Sequence, residues 1–273
     1  MRAMMPCGLA IGGLDPGGGA GVIADLRAFE AAGAFGCAVV ALVTVQSTAG
    51  LRSVRPLTDG QVTAQANEVL SHQDVRAMKI GALGSARNVR AVALLLARNA
   101  TIPSVVDTPM RPTRGQGHLT ANAALAAIRD DLVPRATLVT ANLDEVQALL
   151  GEPVRSLRDA HDAARALARL GPRAALVKGG HMRGPEAIDV LAIDGDVIEL
   201  RAPRLRLGAV HGTGCTFASL VAGRLARRAR DRLDRATLVE AIRWAKRRHH
   251  AALQRAASVG EGQRVLTFRT LRK

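Results

Sequence analysis

The stretch "GLAIGGLDPGGGAGVIADLRAF" (residues 8–29) sets the reading of the whole chain. Its opening residues are apolar or glycine over the length of one strand, which marks a strand covered on both faces. A glycine-rich loop around Asp15 follows, and apolar residues then recur at helical spacing over 20–33. Strand, loop and helix make one βα unit. The loop lies at the strand's carboxyl end, where bare backbone can approach a ligand.

The same alternation runs from end to end. Strands are predicted over 8–13, 37–45, 77–81, 104–108, 136–140, 173–178, 187–193 and 196–201. Helices are predicted over 20–33, 59–71, 85–99, 120–131, 143–150, 157–170, 215–229 and 236–257. The fold class is therefore α/β: three layers, with a mainly parallel central sheet flanked by helices. The last two strands, joined around Gly195, read as a hairpin at one sheet edge. No repeat, low-complexity tract or linker interrupts the 273 residues, so a single domain is expected, ending in a basic helical segment over 224–273.

Composition excludes several classes. Apolar residues make up 48%, too many for a disordered chain. No apolar run approaches the ~18 residues of a membrane span, and the N-terminus lacks a signal-peptide core, so a cytoplasmic protein with no membrane partner is expected. Cys7, Cys37 and Cys215 are too few and odd in number for a disulfide framework, and no Cys/His cluster has zinc spacing. His249 and His250 are adjacent, hence point differently on a helix, which argues against a metal site there. The net charge of +15 is concentrated: residues 224–273 hold 15 basic and 4 acidic side chains. With four Phe, one Trp and no Tyr there is no aromatic platform for bases, so specific nucleic-acid binding is not expected. The excess reads as a solvated arginine-rich helical surface.

In such a sheet, ligands bind beyond the carboxyl ends of the strands. The loops there read "GGLDPGGGAG" (12–21), "TVQSTAG" (44–50), "KIGALG" (79–84), "DTPMRPTRGQG" (107–117), "TANLDE" (140–145), "VKGGH" (177–181) and "HGTGC" (211–215). "GAGVIA" (19–24) fits a relaxed dinucleotide fingerprint, but the second strand ends without the carboxylate that would hold a ribose, and no P-loop occurs. "HGTGC" says more. Gly212 and Gly214, flanking Thr213, let backbone N–H groups converge, and a helix starting at Cys215 adds its positive end. That is an anion hole suited to a phosphate gaining charge. Cys215 is expected to have a lowered pKa there and to take a proton; the alternative is a small buried hydrophobe. Asn142 and Glu145 fit a helix capping box and a metal-phosphate site equally well. Asp107 and Lys178 each end an apolar strand at the ligand edge. Lys178 is one of four lysines against 34 arginines, and a compact charge there suits a phosphate. His181 and His211 each also fit a solvated loop histidine.

In this order, "GGLDPGGGAGVIADLRAF", "GAFGCAVVALVTVQSTAG", "KIGALG", "VTANLDE", "VKGGH" and "HGTGCTFAS" resemble the hydroxymethylpyrimidine/phosphomethylpyrimidine kinases of thiamine biosynthesis, in the ribokinase-like superfamily. The similarity runs from about residue 8 to 225. The resemblance implies a homodimer that uses ATP and Mg²⁺. The reaction it implies phosphorylates the hydroxymethyl group of 4-amino-5-hydroxymethyl-2-methylpyrimidine, then the resulting monophosphate. It places Cys215 where most of the superfamily has an aspartate base, with the backbone of Gly212, Thr213 and Gly214 around the transferring phosphoryl. It assigns Gln46 to the pyrimidine edge, and Asp15, Gly19, Ala20 and Ala82 to the ring. Glu145 and Asp107 are implied for the metal, and Asp107, Asn142, Lys178 and His211 for the nucleotide. Ile23 stands where glutamine is usual, Ala82 where methionine is usual, and Pro109, Thr113 and Arg114 are atypical. These departures keep open a pyridoxal kinase, since relatives with "HGTGC" phosphorylate that hydroxymethylpyridine. They also keep open a catalytically weak precursor-binding relative, against which the intact Asp107, Glu145, Lys178 and Cys215 argue.

Overall fold

The structure is a computed structural model that describes residues 4–107, 109, 122–180, 182–228 and 233–268. Nine strands form one sheet in the order β3-β2-β1-β4-β5-β6-β7-β8-β9. They are β1 (Cys7–Leu14), β2 (Phe35–Ser47), β3 (Gly50–Pro56), β4 (Val75–Ile80), β5 (Ser104–Asp107), β6 (Leu138–Asn142), β7 (Ala174–Lys178), β8 (Glu186–Ile193) and β9 (Asp196–Pro203). From β2 through β7 neighbours run parallel; β3 and the β8–β9 hairpin are antiparallel additions at the two edges. A separate pair, β10 (Val210–His211) and β11 (Arg264–Val265), joins the last third of the chain to its end region.

The helices are α1 (Gly21–Ala32), α2 (Asp59–His72), α3 (Ala86–Arg98), the short α4 (Leu125–Ala127), α5 (Leu143–Leu150), α6 (Leu157–Arg169), α7 (Thr213–Arg228) and α8 (Arg235–Gln254). Both sheet faces are buried, as the uninterrupted apolar strands require. Leu9 and Ile11 of β1 and Met78 and Ile80 of β4 join one core, shared with α2, α3, α5 and α6. Ala10 and Ala77 face the other core, with α1, α7 and α8. The small side chains on that second face admit α7 close to the sheet. A Cβ on Gly223 would lie 2.8 Å from that of Ala32, so α1 and α7 also touch closely. The consequence is that the N-termini of α1 and α7 open side by side at the carboxyl edge of the sheet.

Two expectations are corrected. Residues 44–50, read as a loop, carry the end of β2 and the turn into β3, an edge strand with only Leu51 buried. The helix expected over 120–131 is described from 122 onward. There 3₁₀, α, π and 3₁₀ turns succeed one another through Arg135 around Pro134, which cannot donate a helical hydrogen bond. Within the basic segment, α8 buries Leu238, Ile242 and Ala245 and leaves Arg243 and Arg247 exposed, and Arg224 stacks over Trp244 while pairing with Glu240 at 3.0 Å. Among the described residues, no helix is long and apolar enough to cross a membrane.

Asn88 ties the first half together. Its buried Nδ2 donates to the carbonyls of Ala41, Leu57 and Leu83, which belong to β2, the β3–α2 link and the β4–α3 loop. Asn88→Ala strips the Leu57 carbonyl of its side-chain donor, while those of Ala41 and Leu83 keep the backbone N–H groups of Leu57 and Ser85, and chemical denaturation should register a loss of about 2 kcal/mol. An unchanged midpoint would show that the Leu57 carbonyl finds another donor.

Candidate active site

Two glycine loops meet at the ligand edge with no room between them. Gly212 has φ +73°, and a Cβ there would sit 1.9 Å from the carbonyl oxygen of Gly19. A Cβ on Gly19 would fall 2.3 Å from Cδ2 of His211. The loop after β1 is wound on Asp15, whose carboxylate accepts from the backbone N–H groups of Gly17 and Ala20, both at 2.9 Å. His211 Nε2 lies 2.8 Å from the same carboxylate. Burial opposes ionisation of Asp15, but the hydrogen bonds from His211 and the backbone prevail and hold its pKa below the usual range.

A cleft of about 1100 Å³ runs along this edge. Taken in sheet order, β2 contributes Gln46, the β1 loop Asp15 and Ala20, and the β4 region Lys79 and Ala82. Asp107 follows at the end of β5, then Asn142 and Glu145 after β6, and Lys178 at the end of β7. Residues 211–215 cross the middle. Every residue expected at the site therefore lines one cleft, except Gly19, which lies behind His211. His181, Thr113 and Arg114 lie outside the described residues.

One end concentrates charge. Lys178 Nζ donates to Asp107 Oδ1 at 2.8 Å and lies 3.6 Å from Glu145 Oε2. Thr140 Oγ1 also donates to Asp107. Burial pushes Glu145 up to about 7; Lys178 pulls it down by more than the repulsion of Asp107 raises it, but not by enough to offset the burial. Asp107 stays below the usual range because Lys178 and Lys79 outweigh its desolvation. The capping reading of Asn142 and Glu145 holds. Asn142 Oδ1 accepts from the Glu145 N–H at 2.9 Å, and Glu145 Oε2 accepts from the Asn142 N–H at 2.7 Å. The same Glu145 oxygen faces the ammonium of Lys178. Opposite this cluster, a Cβ on Gly214 would lie 3.3 Å from Lys178 Nζ, so the bare start of α7 faces the lysine directly.

Cys215 requires a correction. The helix begins at Thr213, so Cys215 sits inside its first turn rather than at its start. Burial raises the thiol to about 11; Lys79 opposes this, while Asp107 and Asp25 reinforce it. The local dipole argument loses to burial and to carboxylates brought from elsewhere in the chain. His211 also moves: expected at the nucleotide, it is turned instead toward Asp15 and Gln46, with Nε2 3.3 Å from the Gln46 amide. His249 and His250, read as pointing apart, both line the cleft. His249 Nε2 donates to the Thr213 carbonyl at 3.0 Å, and burial with nearby Lys246 and Lys178 drives its pKa down to about 4.

Sequence reasoning missed the ion pair beneath the centre. Lys79 Nζ donates to Asp25 Oδ2 at 3.0 Å, and Ser219 Oγ to Asp25 Oδ1 at 2.7 Å, all three fully buried. Burial disfavours the ammonium, but Asp25, Cys215 and Asp107 together hold its pKa above the ordinary lysine value. The rarity of lysine, used to single out Lys178, applied equally to Lys79.

A parallel sheet with an anion-binding helix start facing a lysine and two carboxylates is the apparatus of a ribokinase-like small-molecule kinase. The chain belongs to the phosphomethylpyrimidine kinase family, whose profile matches residues 15–267. The hydroxymethylpyrimidine/phosphomethylpyrimidine kinase of Rhizobium meliloti is 38% identical over 264 residues, 95% of each chain. That of Streptomyces coelicolor is 43% identical over 222 residues, 81% of each. The crystal structure of an ADP complex of Bacillus subtilis pyridoxal kinase superposes with a TM-score of 0.85 at 26% identity, covering 96% of this chain and 97% of that one. Phosphomethylpyrimidine kinase from Clostridium difficile 630 gives 0.76 at 28%, covering 90% and 98%.

Two outcomes follow. A thiol titrating near 11 is only ~0.03% thiolate at pH 7.5, so iodoacetamide should label Cys215 slowly, about tenfold faster per pH unit, as followed by peptide mass spectrometry. A fast, pH-independent reaction would contradict the raised pKa. Folding also raises the Glu145 pKa from 4.5 to about 7. Its contribution to stability is therefore complete below the unfolded-chain value and lost as pH rises through about 7. Denaturation of metal-free protein should show wild type losing stability between pH 5 and 8 relative to Glu145→Gln; parallel profiles would refute this.

Proposed function

We propose that the cleft catalyses ATP-dependent phosphorylation of 4-amino-5-hydroxymethyl-2-methylpyrimidine and then of its monophosphate. Family membership supports this reading, and one observation carries it: the bare first turn of α7 faces Lys178 and Asp107 across the cleft. The N–H groups of residues 213–215 have no partners within the helix's first turn and serve the charge that develops on the transferring phosphoryl. Lys178 neutralises the phosphates from the opposite side, and buried Lys79 supplies a second positive charge beneath them.

Asp107 and Glu145 fit a divalent cation. They are hard oxygen donors, and burial of Glu145 takes its carboxylate out of water, a desolvation that a bound cation would offset. One or two carboxylates plus substrate phosphates is the usual Mg²⁺ ligand set, and the ion would supply neutralisation of phosphate charge there.

With its pKa near 11, Cys215 is not a standing thiolate base. Its Sγ instead accepts the hydrogen bond of the substrate hydroxyl and aims the oxygen lone pair at phosphorus. The hydroxyl proton then leaves late, passing to an oxygen of the transferred phosphoryl as the new O–P bond forms and the bond to the ADP oxygen breaks, which suits a loose transition state with little need of base help. The implied dimer finds support in Val43 and Val45, large apolar residues left 38% and 57% exposed beside the β3 edge.

A product assay tests the whole reading. Purified protein with Mg-ATP and hydroxymethylpyrimidine should give mono- and diphosphorylated pyrimidine by mass spectrometry, with Cys215→Ala slower by about 10²-fold or more in kcat. Pyridoxal serves as the second substrate because Ala82 is a small side chain at the ring end. Phosphorylated pyridoxal alone would reassign the substrate. No turnover of either would sink the assignment.

A further inference from the structure

Asp15, His211 and Gln46 meet at the end of the cleft assigned to the substrate ring. Asp15 is ionised, and a carboxylate only accepts hydrogen bonds, so the hydrogen between it and His211 Nε2 resides on the nitrogen. The other ring nitrogen, Nδ1, is buried with no partner, so the opposite tautomer would place an N–H where nothing accepts it. The ring is also held in place. Its Cδ2 lies against bare Gly19, and the backbone of His211 pairs in register with Val265.

The same Nε2 lies 3.3 Å from the carboxamide atom of Gln46 placed as nitrogen, Nε2. The oxygen and nitrogen of an amide have the same shape, and the hydrogen-bond chemistry assigns them. A nitrogen that carries hydrogen tolerates only an acceptor nearby, so the Gln46 oxygen belongs against His211 and its NH₂ turns toward the cleft.

We infer that Asp15 and His211 fix the polarity of the Gln46 carboxamide, so that the site selects a ring presenting an unprotonated nitrogen at that edge. This rests on the pyrimidine kinase reading above and makes His211 a positioning residue for specificity. A 4-aminopyrimidine offers a lone-pair nitrogen beside an amino donor. The corresponding 4-oxopyrimidine carries N–H beside a carbonyl, and against it the fixed NH₂ meets another donor. One unpaired buried donor is a discrimination on the order of 10- to 10²-fold.

The experiment compares kcat/KM for the 4-amino and 4-oxo hydroxymethylpyrimidines in wild type, His211→Phe and His211→Gln. Wild type should favour the amino ring by that factor. His211→Phe, which keeps a flat ring without the N–H, should bring the ratio close to one, and His211→Gln, which restores an N–H donor, should recover part of it. A wild-type ratio near one, or an unchanged ratio in folded His211→Phe, overturns the inference. Independently of turnover, ¹⁵N NMR of histidine-labelled wild type should show hydrogen on His211 Nε2 and a pyridine-like Nδ1. Hydrogen on Nδ1 overturns the inference even if His211→Phe does not fold. If neither pyrimidine is phosphorylated, the functional reading fails by itself, and the tautomer together with calorimetric binding of the two rings still decides the relay.

Discussion

Everything at the ligand edge depends on one close contact, backbone against backbone, between the loop after β1 and the loop that starts α7. With Gly19 under the His211 ring and Gly212 pressed on the Gly19 carbonyl, neither loop can move without the other. A side chain at either position would separate the α1 and α7 N-termini. The close packing of those helices lower down, at Gly223 and Ala32, serves the same end. The site is thus positioned by absent side chains as much as by present ones, and the charged groups are arranged around that fixed centre.

Those charges are balanced in pairs. Lys79 answers Asp25 under the sheet edge, and Lys178 answers Asp107 and Glu145 at the rim. The first pair is sealed from solvent and closes its own account, with Ser219 completing the carboxylate's hydrogen bonds. The second lies at the cleft, where burial of Glu145 raises its pKa despite the lysine beside it. Cys215 lies between the two groups and is governed by both.

Much of this was legible in the sequence because it is local. α5 could be bounded from its capping box at Asn142 and Glu145 and from Gly151, which adopts the left-handed conformation at its end. Strands buried on both faces announce themselves as unbroken apolar runs, and polar residues at their ends mark the ligand edge. What escaped was non-local. β3 shows one buried side chain among arginines and serine and exists only because β2 lies beside it. β10 and β11 are two residues each and carry no periodicity. Lys79 sits inside an apolar strand, and nothing near it in sequence names Asp25 as its partner. The Cys215 pKa escaped for the same reason, since the burial that raises it, and the carboxylates of α1 and β5 that add to it, arise only in the folded chain.

The β10–β11 pair has a temporal consequence. His211 takes its register from Val265, and the turn after β2 is tied to the same tail, with Thr48 bonded to the Glu261 carbonyl and the Gln263 N–H. During translation, the glycine loop, the thiol and both lysines all emerge before residues 257–265. The Asp15–His211 end of the cleft therefore lacks its buttress until that stretch clears the ribosome, and a nascent chain that already carries the glycine loop, the thiol and both lysines still has an unfinished cleft.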